Sequence, residues 1–150
     1  MVVNEEVVQI REIIFQSVEY NQELELRNKV LRIPLGMCLF DENLETEKNN
    51  VHIGAFINDK IVGILVLTRL NQNEIKMRQV AVDEEWRSKR TGSKMVVYAE
   101  KYSKNKGYTM MLLNARKTAV DFYEKLGYEK ISNEFLEINI PHYKMRKKIL

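Results

Sequence analysis

The sequence predicts one domain of the α/β or α+β class, spanning residues 1–150 and built on a mixed β-sheet. The chain has 150 residues, of which 45% are hydrophobic and 30% are charged, as in an ordinary globular domain. Helical patterns come first, a hairpin pattern follows, and strand and helix patterns then alternate. That order is typical of a mixed sheet whose faces are covered by helices.

The first third of the chain is predicted to contain one or two helices. Apolar residues recur at helical spacing between Glu5 and about Leu31, and Pro34 and Gly36 end this region. Two apolar runs rich in β-branched residues follow on either side of an Asn58-Asp59 turn. Such runs around a two-residue turn indicate a β-hairpin.

Four more strands are predicted in the rest of the chain. The segment EIKMRQVAV (residues 74–82) alternates as a strand does, and YTMMLLNA (108–115) is continuously apolar, as a strand covered on both faces would be. Two short strands are expected around residues 128–131 and in the C-terminal HYKMRKKI (142–149).

Two helices are predicted among these strands. One runs from about Thr91 to Asn105 and is stopped by Gly107. The other, TAVDFYEKL (residues 118–126), ends at Gly127. Glycine commonly follows the last residue of a helix, because it adopts the left-handed conformation that ends it.

The composition argues against several classes of protein. Lys and Arg exceed Asp and Glu by 24 to 21, and a net charge of +3 is too small to indicate a nucleic-acid binder. The single cysteine, Cys38, cannot form an internal disulfide or a cysteine-based zinc cluster, and it is expected to be buried and inert. No spacing of His, Cys, Asp and Glu indicates a metal site. The start lacks a signal peptide's basic region and no run has transmembrane length, so a cytoplasmic protein without a membrane partner is expected.

A basic turn, WRSKRTGSK (residues 86–94), joins a predicted strand to a predicted helix. The backbone N–H groups at the start of a helix bind anions, and Arg87, Lys89 and Arg90 add positive charge. The spacing is not that of a Walker motif. Taken alone, the turn is compatible with a phosphate-binding loop and with a solvated surface turn.

Together with the segments that follow it, this turn resembles the GCN5-related N-acetyltransferases (the GNAT superfamily). The segments MRQVAV, RSKRTG, MMLLNA and AVDFYEKLGY have the family's order and spacing from Met77 to Tyr128. The family's loop pattern, Gln/Arg-x-x-Gly-x-Gly/Ala, falls on Arg87, Arg90 and Gly92, so that Arg90 replaces the first glycine. The segments VLRIPLG, MRQVAV, LNAR and IPHYKM resemble the small bacterial ElaA-type or YjcF-like branch.

The resemblance implies a mostly antiparallel sheet in which two central parallel strands splay apart and hold acetyl-CoA. It implies cofactor contacts from the backbone of the first of these strands, from the basic turn and from the last helix. The implied cofactor-binding residues are Val80, Ala81, Val82, Arg87, Ser88, Lys89, Arg90, Thr91, Gly92, Ser93, Asn114, Phe122 and Tyr123.

The activity implied by the resemblance is direct acetyl transfer from acetyl-CoA to a primary amine of a small molecule, peptide or protein. The N–H of Val82 would polarise the thioester carbonyl, and Tyr123 would be the acid for the leaving thiolate. The base is left open between His142, Glu74 acting through water, and structural roles for both. Histidine titrates nearest to neutral pH. The other histidine, His52, is expected at the surface or at a strand edge.

Two other hypotheses remain at this point. A GNAT-like module could hold CoA or acyl-CoA without efficient transfer, since the β-carbon of Arg90 could crowd the pyrophosphate, although its charge could also strengthen binding. A basic nucleic-acid-binding domain would use the same turn and the C-terminal lysines, but it would lack an aromatic platform.

The acceptor and the assembly state are left open by the sequence. The acidic segment DENLETEKNN (residues 41–50) favours a cationic amine, or is only a solvated loop. Arg78 could instead attract an acidic acceptor. A homodimer is also considered, because dimers are common among the small domains of this superfamily.

Overall fold

The computed structural model of this protein describes residues 7–150, except for the side chains of Ser88 and Lys89. The α-helices and strands, in chain order, are β1 (Gln9–Ile13), α1 (Val18–Arg27), β2 (Val51–Ile57), β3 (Lys60–Arg69), β4 (Glu74–Val82), α2 (Thr91–Asn105), β5 (Met110–Arg116), α3 (Val120–Lys125), β6 (Glu129–Lys130), β7 (Phe135–Glu137) and β8 (Ile140–Lys148). The strand order is β1-β2-β3-β4-β5-β8-β6, and β7 pairs with β8. The pair β4–β5 is parallel, whereas β1–β2, β2–β3 and the pairs made by β8 are antiparallel. The predicted class, a mixed and mostly antiparallel sheet with flanking helices, is confirmed.

The contacts of the described chain cluster in two compact units. Unit 1 comprises the described residues up to Leu67 together with Gln79–Ala99. Unit 2 comprises Thr68–Arg78 together with Glu100–Leu150. Accordingly β1, α1 and β2 belong to unit 1, and β5, α3 and β8 belong to unit 2, while β3, β4 and α2 contribute residues to both.

The predicted β-hairpin of unit 1 is confirmed. Asn58 and Asp59 form the turn between β2 and β3, with φ values of 49° and 62°. Two consecutive left-handed residues are what a type I′ turn requires, and this turn matches the twist of the strands that it joins. All residues of β2 are buried, in keeping with its place between β1 and β3.

The first part of the predicted helical region is wrong. Its start at Glu5 lies outside the described residues, and Gln9–Ile13 form β1, which pairs antiparallel with β2. The side chain of Ile13 is 3% exposed and packs over Gly54, where an added Cβ would lie 2.6 Å from Ile13 Cδ1. A short run that contains isoleucines fits both the helical and the strand spacing of apolar residues. The packing of Ile13 over Gly54 favours the strand.

The second part of the predicted helical region is confirmed by α1. Ser17 caps the helix, and its hydroxyl accepts a hydrogen bond from the N–H of Tyr20 at 3.1 Å. A π-helical turn, Asn28–Arg32, follows α1. Gly36, with φ of 72°, ends the helical region where the sequence predicts its end.

The strand β5 of unit 2 differs from the prediction of a strand covered on both faces. Met111, Leu113 and Ala115 are buried, and the residues that alternate with them are half-buried. The prediction fails because Met110 and Leu112 are apolar although they lie on the less covered face. An apolar run therefore does not show that both faces of a strand are buried. One face of β5 is therefore accessible to polar neighbours from β4 and β8.

The two predicted C-terminal helices are confirmed as α2 and α3, and Gly107 and Gly127, with φ of 94° and 96°, follow them. The two predicted short strands are present as β6 and β8, whereas the sequence does not predict β7. The turn between β7 and β8 consists of Ile138 and Asn139, with φ of 51° and 57°, and a left-handed isoleucine is no turn signal. None of the helices in the described residues has the length and apolar character needed to cross a membrane.

Candidate active site

The C-terminal part of β4, in unit 1, begins with a left-handed residue. Gln79 has φ of 55°, a conformation that costs a non-glycine residue about 1–3 kcal/mol. Arg32 contacts its side chain by donating from Nη2 to Gln79 Oε1 at 3.3 Å. A left-handed residue inside a strand changes the direction of the peptide groups that follow it. The residues that follow are Val80, Ala81 and Val82, which are predicted to bind the pantetheine arm.

Side chains and backbone groups of the next loop hold the end of β4. Arg87, implied as a phosphate ligand, donates from Nε to the carbonyl oxygen of Val82 at 3.2 Å. The N–H of Asp83 donates to the carbonyl oxygen of Val62 at 2.8 Å. The end of β4 is thus attached both to the loop and to β3.

The basic turn is a 3-10 helix, Glu84–Lys89, followed by Arg90 with φ of 61°. A left-handed residue is required here, and glycine adopts that conformation without a steric cost. This explains why the family's loop pattern has glycine where this chain has Arg90. The predicted contacts of the Ser88 and Lys89 side chains lie outside the described residues.

The first turn of α2 offers hydrogen-bond donors to an anion. The N–H of Lys94 donates to the carbonyl oxygen of Arg90 at 3.1 Å, which starts the i→i−4 ladder. The N–H groups of Thr91, Gly92 and Ser93 precede this bond and have no acceptor within the helix. Thr91 is 0% exposed, and its Oγ1 has no hydrogen-bond partner among the described residues. A buried hydroxyl without a partner, at the positive end of a helix, fits a phosphate group.

Replacing Arg90 with glycine is expected to weaken CoA binding while leaving stability unchanged or slightly higher. The substitution removes an exposed cation from the predicted phosphate site, an effect of up to about fivefold in the dissociation constant. It also removes the cost of a left-handed side chain. Calorimetric titration with CoA, together with urea unfolding, measures both effects. Arg90→Lys, which keeps the charge, is the control, and tighter binding by Arg90→Gly would contradict the prediction.

In unit 2, Glu137 joins two of the predicted site residues. Asn114 donates from Nδ2 to Glu137 Oε1 at 3.2 Å, and His142 Nε2 lies 3.3 Å from Glu137 Oε2. His142 Nδ1 lies 2.7 Å from the carbonyl oxygen of Ile140, which can only accept, so Nδ1 carries a hydrogen. The contact of Nε2 with Glu137 is not a hydrogen bond, so Nε2 is the ring nitrogen of His142 that is available to a ligand. The sequence does not point to Glu137, because only the unpredicted β7–β8 turn brings it beside these residues.

The same two residues have further features that suit a binding site. Asn114 Oδ1 is buried and has no hydrogen-bond partner among the described residues, so it can accept a hydrogen bond from a ligand. His142 is 6% exposed, and its ring stacks on that of Phe135 with centroids 6.0 Å apart. Stacking and the bond at Nδ1 together fix the orientation of the imidazole.

Tyr123 of α3 lies in a buried aromatic group of unit 2. It is 6% exposed, and its ring centroid lies 5.0 Å from that of Phe122 and 5.8 Å from that of Tyr128. Burial raises the pKa of Tyr123 to about 12. The hydroxyl therefore stays protonated at neutral pH and can donate a hydrogen bond, as the predicted acid must.

Glu74, the other candidate base, lies at the beginning of β4. It is paired with Met110, and its Oε1 accepts a hydrogen bond from Asn71 Nδ2 at 2.7 Å. Asn114 is four residues further along β5 than Met110, which is about 13 Å at the rise of a strand. Unit 2 therefore does not bring Glu74 together with Asn114.

The half-buried face of β4, β5 and β8 in unit 2 carries unpaired cations. Lys76 is in register with Leu112, and Asn114 is in register with Lys144. Lys76, Arg78 and Lys144 have no ion-pair partner among the described residues. Burial lowers the pKa of Lys76, and the charges of Arg78 and Lys144 lower it further, against the opposing charge of Glu137. An anion at this face would relieve the repulsion among the three cations.

Four ionisable side chains of unit 1 form a buried cluster that the sequence does not predict. Arg27 donates from Nη1 to Glu23 Oε2 at 3.0 Å and from Nη2 to Glu47 Oε2 at 2.6 Å. His52 Nδ1 lies 2.8 Å from Glu23 Oε2, and Nε2 lies 3.1 Å from the carbonyl oxygen of Glu47. The expectation that His52 lies at the surface or at a strand edge is wrong, because it is 1% exposed. Its ring is covered by Tyr20 of α1, with centroids 5.2 Å apart.

The geometry of the cluster gives His52 a positive charge. Both ring nitrogens face acceptors, a carboxylate and a carbonyl, so both donate. Burial alone would lower the pKa of His52, but the hydrogen bond and charge of Glu23, with Glu47, raise it. Glu23, Glu47 and His52 offer possible metal-ligand atoms within 4.8 Å of one another. The guanidinium of Arg27 already contacts both carboxylates, so the cluster contains its own cations.

The contribution of His52 to stability is expected to depend on pH. Its folded-state pKa is raised above the unfolded value of about 6.5, so the contribution is fully present below that pH. It is lost as pH rises through the folded-state pKa. Urea unfolding of the wild type and of His52→Asn, from pH 6 upwards, measures this loss. The difference between the two proteins should shrink with pH, and a constant difference would contradict the expectation.

The acidic segment gives less reason for a cationic acceptor than the sequence suggests. Glu42 accepts from Arg32 Nε at 2.7 Å, and Glu47 accepts from Arg27, so two of its carboxylates are neutralised within unit 1. Cys38, just before this segment, is partly exposed, and the expectation that it is buried is wrong.

Comparison with known proteins identifies relatives of this chain. A model of the acetyltransferase (GNAT) domain matches residues 38–149. The uncharacterized N-acetyltransferase YjcF of Bacillus subtilis (strain 168) is 34% identical over 104 residues, which cover 69% of this chain and 74% of that protein. Escherichia coli ElaA superposes with a TM-score of 0.79 at 17% identity, covering 94% of this chain and 99% of that one. An aminoglycoside 6'-N-acetyltransferase complexed with coenzyme A superposes with a TM-score of 0.78 at 19% identity, covering 95% and 97%.

The fold and these matches define an acyltransferase that takes its acyl group from acetyl-CoA. The chain belongs to the GNAT acetyltransferase family, and the predicted resemblance to its ElaA-type and YjcF-like members is confirmed. The start of α2, with its N–H donors and the unpartnered Thr91 hydroxyl, is chemically suited to the phosphates of this donor.

Proposed function

We propose that the protein transfers an acetyl group from acetyl-CoA to a primary amine by direct attack in a ternary complex. The observation that carries this proposal is the orientation of His142, whose Nδ1 is held by the Ile140 carbonyl at 2.7 Å and whose Nε2 lies 3.3 Å from Glu137 without a hydrogen bond to it. An amine attacks only in its neutral form, and an alkylamine with a pKa of about 10.4 is mostly protonated at neutral pH. A proton acceptor is therefore needed for transfer, whereas a module that only holds CoA has no need of one.

Unit 1 would hold the donor. The N–H groups of the first three residues of α2 and the Thr91 hydroxyl would bind the pyrophosphate, with Arg90 adding positive charge. The backbone of Val80–Val82 would hold the pantetheine arm, and the Val82 N–H would polarise the thioester carbonyl. The bond from Arg87 to the Val82 carbonyl supports this role, because it fixes the end of β4.

Residues of unit 2 would carry out the proton transfers of the reaction. The amine nitrogen forms the new bond to the acetyl carbon, the carbon–sulfur bond breaks, and the amine proton passes to His142 Nε2, directly or through water. Glu137 stabilises the resulting imidazolium. Tyr123 donates a hydrogen bond and then a proton to the leaving thiolate, and it regains a proton through water as His142 loses the one that it accepted. Asn114 Oδ1 accepts a hydrogen bond from an amide of the donor. The products are the acetylated amine and CoA.

The acceptor would carry an anionic group, such as a carboxylate, in addition to its amine. This part of the proposal is supported by the unpaired charges of Lys76, Arg78 and Lys144 on one face of unit 2. A carboxylate would be attracted to these cations, and a second ammonium group would be repelled.

The test is thiol release from acetyl-CoA with pairs of amines that differ in one carboxylate. A peptide with a free N-terminal amine and glutamate at its second residue can be compared with its glutamine counterpart. We expect amine-dependent release, with the acidic peptide preferred up to about tenfold in kcat/KM, as two exposed ion pairs would give. Lys144→Gln should reduce this preference, and Lys125→Gln, on the exposed side of α3, should not.

The alternative function is a module that binds CoA or an acyl-CoA without efficient transfer. Thermal stabilisation by acetyl-CoA, without amine-dependent thiol release from any member of the panel, would favour it. Thiol release at equal rates with the acidic and the neutral peptide would support the transferase activity but would overturn the proposed anionic acceptor class.

A further inference from the structure

Arg32 is the last residue of the π-helical turn that follows α1 in unit 1, and it is 6% exposed. Its Nε and Nη2 donate to the two carboxylate oxygens of Glu42 at 2.7 and 3.3 Å. Its Nη1 donates to the carbonyl oxygen of Leu31 at 3.3 Å. All three nitrogens of this planar group are therefore bonded, which makes Arg32 a stiff anchor.

The remaining contact of this anchor is with Gln79 of β4. Nη2 of Arg32 donates to Gln79 Oε1 at 3.3 Å. Gln79 has φ of 55°, a backbone conformation that residues other than glycine rarely adopt inside a strand. Such a conformation persists only where the surrounding structure holds it. Among the described contacts of the Gln79 side chain, the hydrogen bond from Arg32 is the one that can hold this conformation.

We propose that Arg32 is a positioning residue for acetyl-CoA binding, which holds Gln79 and so fixes the direction of the backbone groups of Val80–Val82. The inference rests on the proposed function, in which these backbone groups hold the donor. Arg32 acts through Gln79 and makes no contact of its own with the donor. Glu42, in the acidic segment, then serves to orient Arg32.

The first test compares Gln79→Ala with Gln79→Gly. Both substitutions remove the oxygen that Arg32 holds, and both leave Arg32 bound to Glu42. Glycine adopts a positive φ without support, whereas alanine does not. We expect Gln79→Ala to weaken acetyl-CoA binding about tenfold in calorimetry, and Gln79→Gly to weaken it less than about threefold. Equal affinities of the two variants overturn the inference.

The second test asks whether glycine rescues the loss of Arg32. Arg32→Met is expected to weaken acetyl-CoA binding about tenfold, and the double variant Arg32→Met/Gln79→Gly to recover most of that loss. If Arg32 only stabilised the fold, the double variant would be at least as impaired as Arg32→Met, and that result overturns the inference. Lys48→Met, which removes an exposed cation of unit 1 away from these contacts, is the matched control, with an expected change below about twofold.

A third measurement separates this inference from the proposed function. The backbone amide chemical shifts of Ala81 and Val82 are recorded in the protein without ligand. They should move in Gln79→Ala and return towards the wild-type values in Gln79→Gly. This comparison does not require the donor to bind at Val80–Val82, so it decides the role of Arg32 even if the donor binds elsewhere. Unchanged shifts in both Gln79→Ala and Arg32→Met overturn the inference.

Discussion

Replacing Arg27 with methionine is expected to lower the free energy of unfolding by about 3–5 kcal/mol at neutral pH, as breaking a buried ion pair does. Arg27 is 1% exposed and contacts both Glu23, which is 0% exposed, and Glu47. Without its guanidinium, the two carboxylates would share the imidazolium of His52 as their only cation in the cluster. Urea unfolding monitored by circular dichroism measures the change, provided that the m-value stays constant.

The matched control for this prediction is Arg146→Met. Arg146 also pairs with a glutamate, Glu129, at 3.0 Å, but the two side chains are 47% and 65% exposed. An exposed pair contributes about 0–1 kcal/mol, because water and salt screen it. Similar losses in Arg27→Met and Arg146→Met would mean that water enters the buried cluster and replaces the lost guanidinium, contrary to the prediction.

Replacing Tyr123 with phenylalanine is expected to lower kcat by about 100-fold at saturating acetyl-CoA, the lower end of what a general acid contributes. The lower end applies because the pKa of Tyr123 is about 12, well above the value of about 8.5 for a thiol, so complete proton transfer to the thiolate is uphill. Phenylalanine keeps the contacts with Phe122 and Tyr128. Thiol release with a saturating amine measures the rate, and an unchanged kcat would remove Tyr123 as the acid.

Tyr128→Phe is the control for this substitution. The hydroxyl of Tyr128 donates to Glu100 Oε2 at 2.8 Å, and the ring lies in the same aromatic group as Tyr123. Loss of this bond should reduce stability by about 1.5–3 kcal/mol, because the acceptor is charged. The rate at saturating substrates should stay close to that of the wild type. A large fall in kcat for both variants would indicate damage to the packing of this group.

The sequence predicts the fold where an element depends on the backbone preferences of neighbouring residues. The turn at Asn58 and Asp59, the helix that ends before Gly107, and the strand–turn–helix around Gly92 depend on local backbone preferences, and the structure has them where they are expected. The family motifs add the donor and the fold class, which the matches confirm. The roles of individual residues in the site stay predictions.

The elements that the sequence does not predict depend on contacts between distant segments. Ile13 lies in a strand because Gly54 leaves room for it, although the two are far apart in the chain. The charge of His52 depends on Glu23, and no motif links them. Gln79 is left-handed although its neighbours alternate as an ordinary strand does, and Arg32, which contacts it, lies in another element.

The acidic segment of residues 41–50 has a consequence for how this protein can diverge. Glu42 and Glu47 hold two arginines, Arg32 and Arg27, that belong to the preceding helical region. Replacing Glu42 and Glu47 by neutral residues would leave Arg32 without its carboxylate and Arg27 with Glu23 alone. Changes at these two positions of the segment therefore need compensating changes at Arg32 and Arg27 if stability is to be kept.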